Sequence, residues 1–191
     1  MRLALVILLG GLMPAGGALA ELAGDRDAGK RISMQCRTCH GADGYAQIPI
    51  APHIGGEPES YLRHQLTAFR DGTREHEMMS IVAKGLSDQQ IADLSAWYAG
   101  HEVRVEMVAD ASEAPQACVA CHGADGLHLM DDVPNLAGET NIYIDTQLKA
   151  FRTGKRTHEI MSVVAADLTD QEIRAYADWY AAVKLYIDAV D

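Results

Sequence analysis

The pentapeptide Cys-x-x-Cys-His occurs twice, at Cys36-Arg-Thr-Cys39-His40 and Cys118-Val-Ala-Cys121-His122, and the two copies use all four cysteines of the 191-residue chain. Two thiols three positions apart, followed at once by an imidazole, form the attachment signature of c-type haem. The thiols take up the haem vinyl groups and the histidine stands ready as an axial ligand to iron. Four cysteines also suit half-sites for zinc or a pair of disulfides. Two disulfides leave His40 and His122 without a purpose.

The motifs belong to a longer repeat, which constrains the architecture further. Shifted by 82 positions, residues 36–99 lie on 118–181 without a gap, and 31 of 64 positions are identical. Pro52 follows His40 by 12 residues and Pro134 follows His122 by the same interval; Met79 and Met161 each lie 39 residues beyond their histidine. Gln-Leu-x-Ala-Phe-Arg-x-Gly-x-Arg recurs at 65–74 and 147–156, and His-Glu-x-Met-Ser at 76–80 and 158–162. Two long copies make tandem domains, since a solenoid needs three or more units. The expected division is a signal peptide at 1–20, a first domain at 21–100, a linker at 101–114 and a second domain at 115–191.

Residues 1–20 read as an export signal: Arg2, an apolar run from Leu3 to Leu12, and Ala18-Leu19-Ala20 before Glu21. The apolar run is broken by Gly10, Gly11 and Pro14 and is shorter than the roughly 20 residues that span a bilayer. A soluble exported protein is expected, in keeping with haem attachment outside the cytoplasm. Each repeat unit, at roughly 80 residues, is near the lower limit for a self-sufficient core. A covalently held porphyrin supplies the missing apolar body.

Helical periodicity dominates both units, and no segment alternates for long enough to make a convincing strand. The fold expected is all-α. In the first unit, helices are predicted over Asp25–Met34, Glu59–Arg70, Glu77–Ala83 and from a capping box at Ser87 and Gln90 to Tyr98. The second unit repeats this from Ile142, with Thr169 and Glu172 as its capping box. Before Cys118 the repeat fails: Ala111 stands for Gly29, and Pro115 removes a backbone donor. The helix preceding the second motif is therefore expected to be shortened, displaced or missing.

Met79 and Met161 are the candidate sixth ligands, because His/Met coordination raises the potential of an electron-transfer haem. Met78 competes in the first unit, but Ile160 holds its place in the second and has no donor atom. His76 and His158 are matched as well and give the alternative bis-histidine arrangement. Pro52 and Pro134 are placed to offer a carbonyl to the proximal histidine. Arg70, Arg74, Arg152 and Arg156 are the matched cations that haem propionates call for. His53, His64, His101 and His128 have no counterpart and read as surface or loop groups.

Charge is uneven. Residues 21–105 carry 9 Lys+Arg against 12 Asp+Glu, or −3, and residues 106–191 carry 6 against 15, or −9. Such a balance disfavours nucleic acid and anionic membrane surfaces as partners, and the asymmetry suits docking on a basic protein. Asp131 and Asp132 in the second unit are the candidate docking charges, and their neutralisation is expected to matter more than that of Glu57 and Glu59 in the first.

These motifs, together with Pro-x-Ile-Gly-Gly (52–56), Pro-x-Leu-Ala-Gly (134–138), Tyr61 and Tyr143, resemble the class I c-type cytochromes, and most closely the two-domain, dihaem cytochrome c4 family. The resemblance covers nearly all of the mature chain. It implies two small class I cytochrome c-like haem domains related by a pseudo-twofold, with two covalent haem c groups. Cys36, Cys39, Cys118 and Cys121 would hold them, and His40, Met79, His122 and Met161 would be the axial ligands. It also implies a periplasmic electron carrier between respiratory donors and a terminal oxidase, not an enzyme, since methionine-capped haems leave no open iron site. Similar chains are cytochrome subunits of sulfur-oxidising dehydrogenases such as flavocytochrome c sulfide dehydrogenase, which gives the alternative of a permanently docked subunit.

Overall fold

Two haem-motif helices, one in each half of the chain, organise a helical protein in a computed structural model that describes residues 22–189. The export-signal reading of residues 1–20 lies outside the described residues. The first half contains α1 (Arg26–Ile32), α2 (Arg37–His40), α3 (Glu59–Asp71), α4 (Met79–Lys84) and α5 (Asp88–Ala99). The second contains α6 (Gln116–His122), α7 (Asn141–Arg152), α8 (Met161–Ala166) and α9 (Asp170–Ala181). Both predicted capping boxes form, with Ser87 and Gln90 at the start of α5 and Thr169 and Glu172 at the start of α9. Each satisfies two otherwise orphaned backbone donors.

The first core gathers Leu62 and Phe69 of α3, Ala83 of α4, and Ile91, Leu94, Trp97 and Tyr98 of α5, with Leu86 between. The second is smaller: Ile144 and Leu148 of α7 against Ile173, Ala177 and Tyr180 of α9. The difference has a definite source. In the first half α1 crosses α5, and a Cβ on Gly29 would lie 2.0 Å from the Asp93 carbonyl oxygen, so only glycine permits the approach. Ile91 through Tyr98 are consequently all buried. In the second half Ala111 lies in a 3-10 turn (Ala111–Glu113), and Pro115 caps α6 directly. The expected loss of the preceding helix is what the backbone shows. Without that cover, Arg174, Ala175 and Asp178 of α9, and Ala182 that caps it, are exposed. Gly29→Ala is expected to cost about 1–3 kcal/mol by overpacking, measured by urea unfolding; Ala111→Gly, at an exposed turn, should cost less.

Two strands were not anticipated. β1 (Val103–Glu106) pairs antiparallel with β2 (Lys184–Ile187), Arg104 opposite Tyr186 and Val103 opposite Ile187. Each strand leaves the final helix of its half, and the register obeys the 82-residue shift: 104 faces 186, its own equivalent. Structural equivalence thus runs past the end of sequence identity, into the segment read as linker. The strands have four residues each, too short for alternation to declare itself. They cover matched glycines: Gly56 (φ 74°) packs under Val103 and Gly138 (φ 67°) under Leu185, with room for no Cβ.

Candidate haem sites and the seam between them

Each haem motif ends a helix, and each places its histidine in the interior. His40 and His122 are buried, and their Nδ1 atoms lie 2.9 and 2.8 Å from the carbonyl oxygens of Pro52 and Pro134. A carbonyl only accepts, so Nδ1 carries the proton and Nε2 keeps its lone pair. Burial holds both imidazoles below their ordinary pKa, hence neutral. A neutral imidazole with its tautomer locked by a backbone carbonyl is a metal-ligand arrangement. All four cysteines are half-buried and none pairs in a disulfide, and Cys36 and Cys118 pack against the two cores. Burial pushes the Cys118 thiol up to about 11.

Met79 and Met161 open α4 and α8 and pack against the cores, whereas Met78 is 59% exposed and its counterpart Ile160 is 48% exposed. The rival histidines have another employment. His76 Nδ1 accepts from the backbone N–H of Met78 and Met79, and His158 Nδ1 from Ile160 and Met161. Each ring also stands edge-on to a phenylalanine, Phe69 or Phe151. They cap the short helices that carry the methionines.

The matched arginines divide. Arg70 reaches Asp71, Asp88 and the Leu86 carbonyl, and Arg152 reaches Asp170 and the Leu168 carbonyl; these are helix-end ion pairs. Arg74 and Arg156 instead cross between the halves. Arg74 donates to Gln65, Gln147 and Tyr143, and Arg156 to Gln147, Gln65 and Tyr61. The pattern is twofold symmetric, and each glutamine oxygen accepts from both guanidiniums. Each guanidinium also lies over a ring, Arg74 on Phe69 and Arg156 on Phe151; among the described residues their hydrogen bonds go to neutral oxygens, so two carboxylate arms would complete them.

A second symmetric cluster was invisible in the sequence. The His53 N–H donates to Glu139 Oε1 (2.7 Å) and the Asn135 N–H to Glu57 Oε2 (3.0 Å), each across the seam. His53 Nε2 donates to the Gly138 carbonyl, and Asn135 Nδ2 to that of Gly56. His53 Nδ1 accepts from Ala46 N–H just as Asn135 Oδ1 accepts from His128 N–H. Histidine and asparagine therefore do the same work at equivalent positions. His53 and His101 lie in loops, as expected, but are buried and not at the surface, and Glu57, 4% exposed, is unavailable to a docking partner. The signal that pointed to the acids was their exact match at the 82-residue shift, unused because the surrounding stretch read as loop.

The donor set fits haem c in both halves: paired thiols, a tautomer-locked histidine, an inward methionine and cations at the seam. Independent comparison agrees. The cytochrome c family model matches residues 27–99 and 108–183. Cytochrome c4 of Pseudomonas aeruginosa is 33% identical over 180 residues, spanning 84% of this chain and 90% of that protein. A thiosulfate dehydrogenase electron acceptor of Thiomonas intermedia is 33% identical over 175 residues, with 80% of each covered. The crystal structure of reduced recombinant cytochrome c4 from Pseudomonas stutzeri superposes with a TM-score of 0.74 at 30% identity, covering 85% of this chain and all of that one.

Proposed function

The chain belongs to the cytochrome c4 family of dihaem electron-transfer cytochromes, and from that premise we propose that it is a periplasmic shuttle carrying one covalent haem in each of the domains 21–100 and 115–191, joined through 101–114. Cys36 and Cys39 attach the first haem, with His40 and Met79 as axial ligands; Cys118, Cys121, His122 and Met161 serve the second. The observation that carries this assignment is the pair of histidine-to-proline-carbonyl bonds, which fix Nε2 as the free donor in both halves.

The haems supply a reversible ferric–ferrous couple. The chain's own residues set its conditions. Pro52 and Pro134 orient the imidazoles and raise their donor strength. Met79 and Met161 offer a soft sulfur that favours the ferrous state. The aromatic and aliphatic cores exclude water, and Arg74 with Arg156 offsets the propionate charge. Denaturing mass spectrometry of the matured protein should show a polypeptide beginning at Glu21 plus two haems; one haem or none would refute the assignment.

A second reading concerns the electron donor. One relative is a thiosulfate dehydrogenase electron acceptor, which supports a sulfur-oxidising dehydrogenase as the partner, whether met in passing or as a permanent companion. Co-purification at native abundance separates the two, since a permanent subunit never elutes alone. Asp131 and Asp132 are exposed in the acidic half and suit docking on a basic surface. Transfer to a basic partner should slow as salt shortens the screening length from about 10 Å at 0.1 M to about 3 Å at 1 M. Neutralising those two aspartates should slow it at low salt; a rate indifferent to both changes would remove the docking role.

A further inference from the structure

Glu57 and Glu139 are the most deeply buried acids among the described residues, 4% and 2% exposed. They stand at equivalent positions of the repeat, each bonded across the seam, and near enough for the charge of Glu57 to act on Glu139. Each accepts a backbone N–H from the opposite half, His53 to Glu139 and Asn135 to Glu57, yet no lysine or arginine among the described residues donates to either. Glu139 Oε2 makes no well-formed hydrogen bond among them, although the Thr140 backbone N–H acts weakly on the same carboxyl. Asp93, also buried, differs: its Oδ1 takes both the Asp25 N–H and the Gln89 amide.

The groups around the pair are known. His53 is neutral, its Nε2 proton given to Gly138. Tyr61 of α3 feels Glu57 on one side and Tyr143 of α7, Arg74 and Arg156 on the other. The arginines spend their donors on Gln65, Gln147 and the two tyrosines. Two buried carboxyls close enough to feel each other, with no lysine or arginine between them, resist ionising together. Burial drives Glu57 up to about 8 and Glu139 well above the ordinary carboxyl range, the latter raised further by the charge of Glu57.

We propose that Glu57 and Glu139 form a proton-binding site spanning the two halves, occupied at neutral pH and emptied in the alkaline range, and that proton occupancy holds the seam together. The two carboxyls titrate as a pair, with apparent values that belong to both. The folded chain binds more protons than the unfolded one from the ordinary carboxyl value of 4.5 up to about 8. The stabilisation is therefore complete below that range and lost as pH rises through it. Because the seam joins the two haem-bearing halves, release of the proton adds negative charge between them, and the reduction potentials fall as pH rises. That last consequence alone rests on the dihaem reading.

The test uses the full-length holoprotein, with Glu57→Gln, Glu139→Gln and the double replacement. Infrared spectra of the wild type, with glutamate carboxyls isotope-labelled to separate them from haem propionates, should show a protonated glutamic acid band at neutral pH that disappears through mildly alkaline pH. The double variant should lack this band. Its unfolding midpoint should vary less with pH between 5 and 9 than that of the wild type, and it should be the more stable protein at the alkaline end. No protonated glutamate at neutral pH in the wild type would overturn the proposal, a result that needs no variant to fold. So would a band that survives both replacements, or identical pH profiles of stability. Loss of the pH-dependence of the potentials in the double variant would extend the site's influence to the haems; potentials independent of pH in the wild type would refute that extension.

Discussion

Replacing Cys118 and Cys121 together with alanine is expected to leave one haem per chain and to unfold most of the second half, whereas the same change at Cys36 and Cys39 should leave the first half partly folded. The asymmetry follows from how each core is built. The first half buries Leu62, Phe69, Leu86, Ile91, Leu94, Trp97 and Tyr98, and α1 clamps α5 through the close approach at Gly29. The second half buries Ile144, Leu148, Phe151, Ile173, Ala177 and Tyr180, with one face of α9 open. A unit this small lies near the limit below which a covalent or metal staple is needed. The porphyrin is then a larger share of what holds α7 against α9 than of what holds α3 against α5. Mass spectrometry counts the haems, and far-ultraviolet circular dichroism reads the helix lost. An equal loss of helix from the two double variants would show that α1 adds no independent stability.

The parts of the site that chemistry confines to one short stretch were legible from the residues. The carbonyls of Pro52 and Pro134 and the capping boxes at Ser87 and Thr169 follow from spacing, because local geometry alone decides them; the helices over the two Cys-x-x-Cys-His motifs were not anticipated. Pro115, with Ala111 in place of Gly29, was enough to foresee that the helix before the second motif would be shortened, displaced or missing. What else escaped depends on contacts between residues about 80 positions apart. β1 and β2 each pair only with the other, so neither carries a hairpin signal. Arg70 and Arg74 look alike in sequence, but four residues around a helix end send one to Asp88 and the other across the seam to Gln147. His53 has no histidine partner in the repeat, yet Asn135 supplies the same pair of hydrogen-bonding roles. Identity of residue type understated identity of function. Glu57 and Glu139 showed the opposite failure: they matched, but a loop acid reads as solvated until the opposite half is seen closing over it.

Replacing Met161 with alanine is expected to lower one of two reduction potentials by a sizeable part of the roughly 0.8 V range that axial ligation spans in haem proteins. If Met161 ligates iron as proposed, the change should also abolish about half of the weak sulfur-to-ferric-iron absorption, because one of the two sulfur–iron bonds that give rise to it is gone, and the ferrous state loses the thioether that favours it. Met79→Ala should do the same to the other potential. Met78→Ala should change neither. Met78 and Ile160 share one backbone conformation, with φ near −90° in both, and both point outward, so the side chain at that position is interchangeable. Met79 and Met161 turn inward against the cores. His76 and His158 hold the first turns of α4 and α8 through their Nδ1 atoms, so each helix keeps its place when the methionine is shortened and the change reports on ligation instead of refolding. Separating the bis-histidine alternative takes one further variant. If His76 were a ligand, His76→Gln would produce the large fall in potential and Met79→Ala would not. If it only caps α4, His76→Gln should lower stability by about 0.5–2 kcal/mol and leave the sulfur-to-iron band in place.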